Sequence, residues 1–322
     1  MSVTVRHFSQ TDEKAWDTFV ENSNNGTLFH TRKFLNYHPK DRFIDHSLIF
    51  EKKGRIISVL PAVIQKEGRE LVLISHPGAS VGSCVIPKKL SFSESLKIVE
   101  KLSYYARSNN IKRVRLIQPP LIYHKHISQY MDFAFKCAGY SYAYRELSSY
   151  IRLKNTIEDN LAKFKPTHRT AFRKAEKLGV EVKQSDDFET FYSILQNNLS
   201  LRHNVSPTHT LSELQELKKM FPNKINLFGA YIKNEMIAGV VIFHVNPKSV
   251  LAFYISHKPD YEDHRSVNIL IYKIIKWALK KQMKILDFGI FTVNENPNMG
   301  LARFKENFGA SGIFRDTVEL KL

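Results

Sequence analysis

One order of secondary-structure elements occurs twice along the chain. In each half, runs of apolar residues predict three strands, a helix and a fourth strand, and the two sets lie roughly 170–180 residues apart. The tripeptide Ile-Ser-His ends the third strand of both sets, at residues 74–76 and 255–257. An ordered repeat of this kind predicts an internal duplication, and therefore an α/β protein of two related units.

The boundaries of these elements follow from the apolar patterns and the turn residues between them. In the first repeat we predict strands at 47–52, 55–64, 70–75 and 113–118, with a helix at 93–109. In the second we predict strands at 227–232, 236–245, 249–256 and 284–288, with a helix at 266–281. The expected units are residues 1–150 and 151–322, each a mixed sheet flanked by helices, and the second begins with a basic helical segment at 156–179.

Composition limits the partners of such a chain. Its 322 residues include 48 Lys and Arg against 31 Asp and Glu, a net charge of +17 that favours binding of anions. We expect tRNA, coenzyme A, a nucleotide-linked sugar or an anionic glycan, and no DNA; solubility alone is the alternative reason for the charge. The apolar runs are too short for integral membrane association, and no export signal opens the chain, so we expect a cytoplasmic protein.

The segment between the repeats carries the densest positive charge. Pro166 is expected to break one helix and begin another, which Gly179 ends. Arg169 and Arg173 are four residues apart and share one helical face, with Lys174 beside them. Two guanidinium groups on one face can bind phosphate in bidentate fashion. A solvated basic face is the alternative interpretation.

The last predicted strand, 284–288, carries a single carboxylate among apolar residues, Asp287. Burying an unpaired carboxylate costs several kcal/mol, so we expect Asp287 to point into a polar cleft at the end of the strand. A turn-rich stretch then leads to Lys305, which lies between Phe304 and Phe308. These two aromatic residues are expected to anchor the segment and to hold the amine in place.

These motifs resemble those of the FemABX-like family, which has a duplicated Gcn5-related N-acetyltransferase (GNAT) fold. The resemblance rests on the basic helix at 169–179 and on Asp-Phe-Gly at 287–289 followed by Phe-Lys-Glu-Asn-Phe-Gly at 304–309. It implies transfer of an acyl or aminoacyl group, with aminoacyl-tRNA or acyl-coenzyme A as co-substrate and no tightly bound cofactor. Simple GNAT enzymes hold the coenzyme A pyrophosphate with a glycine-rich turn. Here the equivalent residues, 260–268, contain no glycine and three acids, which disfavours coenzyme A.

Three residues are candidates for catalysis. The resemblance supports Lys305 as the group that stabilises negative charge on the carbonyl oxygen during transfer; an ordinary surface lysine is the alternative. Asp287 is a candidate base or a residue that orients Lys305, and a structural aspartate is equally consistent with the sequence. His257 is a second candidate base, although a lone histidine is more often structural. No cysteine or histidine spacing predicts a metal site.

The remaining candidates are expected to bind substrate. Arg265 and Asn268, near the start of the helix at 266–281, are placed to bind phosphate or sugar hydroxyl groups, and Phe304 is assigned to the same site. Tyr254 is expected to line the cleft or to belong to the core. The predicted function is acyl or aminoacyl transfer to an amine on a cell-envelope or polysaccharide precursor. The alternative is a non-catalytic RNA-binding module that uses the basic helix.

Overall fold

The computed structural model describes residues 2–39, 41–203 and 206–322, of which 201–203 are described by their backbone only. The described chain divides into two compact units. Unit 1 contains residues up to 147 together with 314–322, and unit 2 contains residues 148–313. The last strand of the chain therefore returns to unit 1 after unit 2 is complete.

The elements alternate along both units. The strands are β1 (Thr4–His7), β2 (Leu48–Lys52), β3 (Arg55–Leu60), β4 (Ala62–Glu67), β5 (Glu70–Ser75), β6 (Arg113–Ile117), β7 (Ser141–Arg152), β8 (Glu181–Ser185), β9 (Ile225–Ile232), β10 (Glu235–Asn246), β11 (Ser249–His257), β12 (Ile285–Ile290), β13 (Thr292–Val293), β14 (Asn296–Pro297) and β15 (Ser311–Lys321). The α-helices are α1 (Glu13–Asn22), α2 (Arg32–Leu35), α3 (Phe92–Ser108), α4 (Tyr130–Cys137), α5 (Ile157–Ala162), α6 (Pro166–Lys177), α7 (Phe188–His203), α8 (Leu211–Met220), α9 (Ser266–Lys280) and α10 (Met299–Glu306).

Unit 1 contains a parallel strand pair joined by a helix. β5 and β6 run parallel, and α3 connects them, while β4 pairs antiparallel with β5. β15 completes the sheet by pairing antiparallel with β6. The strand predicted at 55–64 is wrong as one element: it is two strands, separated at Pro61, and β3 pairs with β2 in a separate three-stranded sheet. Proline has no N–H to donate to a neighbouring strand, which explains the break.

Unit 2 repeats the same arrangement. β11 and β12 run parallel and are joined by α9, and β10 pairs antiparallel with β11. Residues 148–152 of β7 pair antiparallel with β12, and β9 and β8 extend the other side. The matching parallel pairs and crossover helices confirm the predicted fold class of two related α/β units.

The core of unit 2 positions the start of α9. One face of this helix, with Ile271, Ile274 and Ile275, is fully buried against the sheet. The basic helix α6 packs on α9, and the rings of Phe172 and Tyr272 stack with their centroids 4.5 Å apart. α6 begins at Pro166 and is followed by Gly179 in a left-handed conformation (φ +77°), as the sequence predicts.

Two elements of unit 1 have no counterpart in the sequence prediction, α4 and β15. Charged and polar residues interrupt the apolar pattern of β15, and its pairing with β6 depends on residues about 200 positions away in the chain. Among the described residues, no helix is long and apolar enough to cross a membrane.

Candidate functional site

A cavity of about 450 Å³ lies in unit 2 beside the start of α9. Its walls come from α6, α7, the end of β11, the segment before α9 and the start of α10. The lining residues are His168, Asn198, Ile255, His257, Glu262, Arg265, Ser266, Val267, Asn268, Asn298, Gly300, Leu301 and Phe304. We call this space the α9 cavity. Four predicted site residues line it: His257, Arg265, Asn268 and Phe304.

The first residues of α9 give the cavity its polar wall. Arg265 precedes the helix in a left-handed conformation (φ +53°), which is costly for a residue with a side chain. A helix leaves its first N–H groups without intrahelical partners and carries a partial positive charge there. Asn268, in the first turn, is only 8% exposed, and its amide Nδ2 has no hydrogen-bond partner among the described residues. A buried amide without a partner is rare and calls for an explanation.

His257 is held at the end of β11 by hydrogen bonds to its backbone and its neighbour. The Nδ2 group of Asn198 donates to the carbonyl of His257 (3.3 Å) and to the hydroxyl of Ser256 (3.1 Å). Ser256 is buried and donates in turn to the carbonyl of Ile194 in α7 (3.3 Å). The backbone beside the cavity is thereby fixed, and the half-buried His257 side chain lines it.

His168 is a cavity residue that the sequence analysis missed. Its ring contacts Phe308 edge-on, with the centroids 4.7 Å apart, and lies 6.3 Å from Phe304. Burial lowers the pKa of this imidazole below its ordinary value of 6.5, and the nearby charges of Lys165 and Arg265 lower it further. His168 therefore favours its neutral form, which can accept a proton. Its position one residue before Arg169 hid it inside a basic run.

Lys305 follows the lining residue Phe304 in the sequence, but it does not itself line the cavity. It is 2% exposed, which excludes an ordinary surface lysine. Its Nζ donates to the backbone carbonyls of Gly289 (2.8 Å) and Ile290 (2.7 Å), just beyond the buried part of β12. These bonds fasten α10, which supplies Gly300, Leu301 and Phe304 to the cavity, to the end of β12.

Asp287 binds the same end of β12. Its side chain is fully buried, and its Oδ1 accepts a hydrogen bond from the N–H of Gly289 (2.7 Å). Gly289 has a φ of +69°, the left-handed region that glycine adopts readily. A buried carboxylate and a buried ammonium group therefore bind the two ends of one residue, Gly289. These hydrogen bonds offset much of the free-energy cost of burying the two charged groups.

The other predicted binding residues lie elsewhere in unit 2. Tyr254 is 9% exposed, and its hydroxyl accepts a hydrogen bond from the backbone N–H of His209 (3.1 Å). On α6, Arg169 is half-buried, whereas Arg173 and Lys174 are exposed. None of these four predicted residues is among the described residues that line the α9 cavity. Within 2–39, 41–203 and 206–322, no group of His, Cys, Asp or Glu side chains is arranged to bind a metal ion.

The fold and the cavity together define a class of protein. Unit 2 has a parallel strand pair joined by a crossover helix, and the α9 cavity lies at the start of that helix. Residues 162–306 match the family model for the acetyltransferase (GNAT) domain, a range that includes α6, α9 and α10. The segment that holds the α9 cavity is therefore similar to the GNAT acetyltransferase domain.

Solved structures extend the likeness to the whole chain. FemX is 13% identical, with 99% of this chain and 97% of FemX covered and a TM-score of 0.76. L-PGS from Bacillus licheniformis is 12% identical, with 96% and 91% covered and a TM-score of 0.60. A tandem GNAT protein from the clavulanic acid biosynthesis pathway is 10% identical, with 99% and 98% covered and a TM-score of 0.57. No curated protein sequence matches the chain.

These comparisons establish the architecture. The predicted likeness to FemABX-like proteins is confirmed at the level of the fold, because FemX and this chain superimpose over nearly their full lengths. A tandem GNAT neighbour of equal extent confirms two GNAT-like units. Together with this fold, the match to the GNAT domain supports an acyltransferase.

Proposed function

We propose that unit 2 transfers an acyl or aminoacyl group to an amine in the α9 cavity. The observation that carries the proposal is the amide of Asn268, which is buried in the wall of the α9 cavity and has no partner among the described residues. A donor group without a partner costs about 1–3 kcal/mol unless a ligand supplies the acceptor. A carbonyl or phosphate oxygen of the substrate is the missing acceptor.

The transfer requires two contributions from the chain: hydrogen-bond donors for the carbonyl oxygen and a base for the amine proton. The amine nitrogen attacks the carbonyl carbon, a C–N bond forms, and the C–O bond of an aminoacyl ester or the C–S bond of a thioester breaks. Negative charge develops on the carbonyl oxygen, where Asn268 and the first N–H groups of α9 can donate hydrogen bonds. The amine proton passes to the imidazole of His257, or to the neutral imidazole of His168, and then to the leaving group.

The donor substrate is anionic in either form of the proposal. Coenzyme A and tRNA both carry phosphates, which Arg265 and the start of α9 can bind at the cavity. Acyl-coenzyme A is supported by the GNAT match. Aminoacyl-tRNA is supported by the likeness to FemX and by the absence of glycine at 260–268. We place the acceptor amine on a cell-envelope or polysaccharide precursor, such as a nucleotide-linked sugar, in the cytoplasm.

We assign Lys305 and Asp287 a positioning role within this proposal. Lys305 uses two of its three N–H groups on backbone carbonyls, and Asp287 accepts from Gly289. Both residues fix the last two residues of β12, which comes before α10 in the chain. They act through Phe304 and its neighbours on α10, which face the cavity.

Ligand-induced stabilisation tests the donor. Acetyl-coenzyme A, charged tRNA, uncharged tRNA and nucleotide-linked sugars would each be added to the protein, and its melting temperature recorded. A ligand at one hundred times its dissociation constant adds about 2.7 kcal/mol, a readily measured shift. Absence of stabilisation by every one of these ligands would contradict the proposal.

Arg265→Gly separates ligand binding from folding. Glycine adopts a positive φ without strain but costs more unfolded-state entropy, so the free energy of unfolding should change by no more than about 1 kcal/mol. Loss of the guanidinium should weaken binding of the stabilising ligand roughly tenfold. The control is Lys276→Gln, which removes an exposed positive charge elsewhere on α9 and should leave ligand binding unchanged. Glycine is not used at this position because it would destabilise the helix. Unchanged affinity in Arg265→Gly would argue against the site.

The imidazole of His168 should titrate below pH 6.5. NMR spectra of the histidine Cε1 protons would follow it, with His168→Gln identifying its signal. Since the charge of Arg265 contributes to the lowered pKa of His168, Arg265→Gly should raise that pKa towards 6.5, and Lys276→Gln should leave it unchanged. A pKa at or above 6.5 in the wild-type protein would show that His168 is solvated and separate from the cavity.

The exposed basic face of α6 favours a second candidate, a non-catalytic RNA-binding module. In that case charged and uncharged tRNA should stabilise the protein equally, and Arg173→Gln combined with Lys174→Gln should abolish both effects. The transferase predicts that Asn268→Ala, which removes the donor in the cavity, lowers turnover while leaving tRNA affinity intact. Absence of turnover, together with tRNA affinity that is lost only in the α6 variant, would favour the RNA-binding module.

A further inference from the structure

Unit 1, which does not contain the proposed transfer site, exposes a group of apolar side chains. They are Phe92 at the start of α3, Ile127 before α4, and Tyr130 and Phe133 on α4, exposed by 37%, 76%, 50% and 55%. A soluble protein rarely leaves several large apolar side chains exposed side by side without a partner. Together with Lys88 and Lys89, these residues form what we call the aromatic–lysine patch.

The members of the patch are contiguous. The ring of Phe92 lies 5.7 Å from that of Tyr130 and 5.9 Å from that of Phe133, centroid to centroid. Ile127 and Tyr130 line a surface cavity of about 710 Å³ together with Lys88, Lys89 and Leu90. Ile127, Tyr130 and the two lysines therefore share one concave surface, and Phe92 connects Tyr130 to Phe133.

The charge of this surface is positive. Lys88 and Lys89 are exposed at the cavity and have no ion pair among the described residues. The acid that lines the same cavity, Glu94, accepts from the Nζ of Lys52 (2.6 Å) and from the hydroxyl of Ser91 (2.9 Å). Its charge is thereby balanced, and the two lysines set the local potential.

We propose that the aromatic–lysine patch docks unit 1 on the surface of an anionic phospholipid bilayer. The four apolar side chains enter the boundary between headgroups and acyl chains, and Lys88 and Lys89 bind lipid phosphates. Nothing in this proposal depends on acyl transfer.

The geometry of the patch favours lipid over nucleic acid. Bases stack on open, flat aromatic faces, but Phe92 is tilted by 55° and 54° against its two neighbours, so the rings partly cover one another. The most exposed member, Ile127, is aliphatic and has no face for stacking. Exposed apolar side chains of this kind suit insertion into an apolar medium.

Sedimentation with vesicles tests the docking. The full-length protein should bind vesicles of phosphatidylcholine mixed with phosphatidylglycerol and should bind pure phosphatidylcholine vesicles much more weakly. Lys88→Gln combined with Lys89→Gln should weaken binding to the anionic vesicles by roughly fivefold per lysine. Ile127→Ser combined with Phe133→Ser should weaken it at least tenfold and should also remove the part of binding that survives high salt.

Matched variants distinguish the patch from the general charge of the protein. Lys14→Gln combined with Lys66→Gln makes the same change in net charge at exposed positions of unit 1 outside the patch, and Tyr104→Ser removes an exposed aromatic ring from another face of α3. Both controls should bind anionic vesicles like the wild-type protein. Circular dichroism would verify that every variant is folded.

Three results would overturn the proposal. The first is no sedimentation of wild-type protein with anionic vesicles. The second is equal loss of binding in the patch lysine variant and in the Lys14/Lys66 control, which would make the interaction one of net charge alone. The third is vesicle binding that survives Ile127→Ser with Phe133→Ser while affinity for single-stranded RNA is lost, which would reassign the patch to RNA.

Discussion

Lys305→Met is expected to lower the free energy of unfolding of unit 2 by about 3 kcal/mol. The Nζ of Lys305 is almost completely buried and donates to two backbone carbonyls, those of Gly289 and Ile290. Hydrogen bonds from a charged donor contribute about 1.5–3 kcal/mol, and carbonyls left without a donor in a buried site cost more. Methionine fills a similar volume but donates no hydrogen bond, so the turn after β12 loses its link to α10.

Urea unfolding measures this change. Trp277 lies in unit 2, and a Trp16→Phe background makes its fluorescence the reporter of that unit. Lys276→Met, at an exposed position in the middle of α9, is the matched control and should change the free energy of unfolding by less than about 0.5 kcal/mol. A similarly small effect for Lys305→Met would mean that the lysine does not hold the turn, and would return it to the candidates for direct catalysis.

Phe308→Ala is expected to cost about 4 kcal/mol. Phe308 is fully buried, and its ring contacts those of Phe164, Phe304 and His168 at centroid distances of 5.1, 5.1 and 4.7 Å. Its removal leaves a cavity where α6, α10 and the turn after α5 meet. The same urea unfolding in the Trp16→Phe background would record the loss.

The Phe308 variant should also alter the α9 cavity. Burial is the main cause of the lowered pKa of His168, and half of the aromatic wall around this imidazole disappears with Phe308. The pKa of His168 should therefore rise towards 6.5. Phe314→Ala, at a position that is 48% exposed, is the control and should have little effect on either property. A destabilised Phe308→Ala protein with an unchanged pKa of His168 would show that the ring supports the core but not the cavity.

Local sequence patterns were sufficient to predict the repeated fold. The helix predicted at 266–281 is α9 at Ser266–Lys280, and the strand predicted at 249–256 is β11 at Ser249–His257. Continuous apolar runs identify buried parallel strands, and apolar residues at helical spacing identify the crossover helix between them. The same local reading placed Arg265 and Asn268 at the start of α9, because residues near a helix terminus in sequence are near it in space.

Residues that meet through long-range packing could not be predicted in this way. His168 lines the cavity because α6 packs on α9, and its ring lies near Phe304 on α10 and contacts Phe308 just after that helix, both more than 130 residues later in the chain. The sequence predicted that Phe304 and Phe308 hold Lys305 in place, but its partners, the carbonyls of Gly289 and Ile290, carry no side-chain signal in a sequence. Pro61 is a different kind of error. This proline is a local signal that separates two strands, but the continuous apolar pattern of residues 55–64 obscured it.

The order of the repeated elements, the two-unit α/β architecture and the basic character of α6 follow from the sequence alone, because periodicity, turn residues and charge act over a few residues. Which polar groups share a cavity, and which hold the chain together, depends on the tertiary structure. Asn268 and Lys305 illustrate the difference: both are polar and buried, but the lysine amine binds two carbonyls and the asparagine amide has no partner among the described residues. Hydrogen-bond satisfaction depends on atoms far apart in the chain, so it appears only when the fold brings them together.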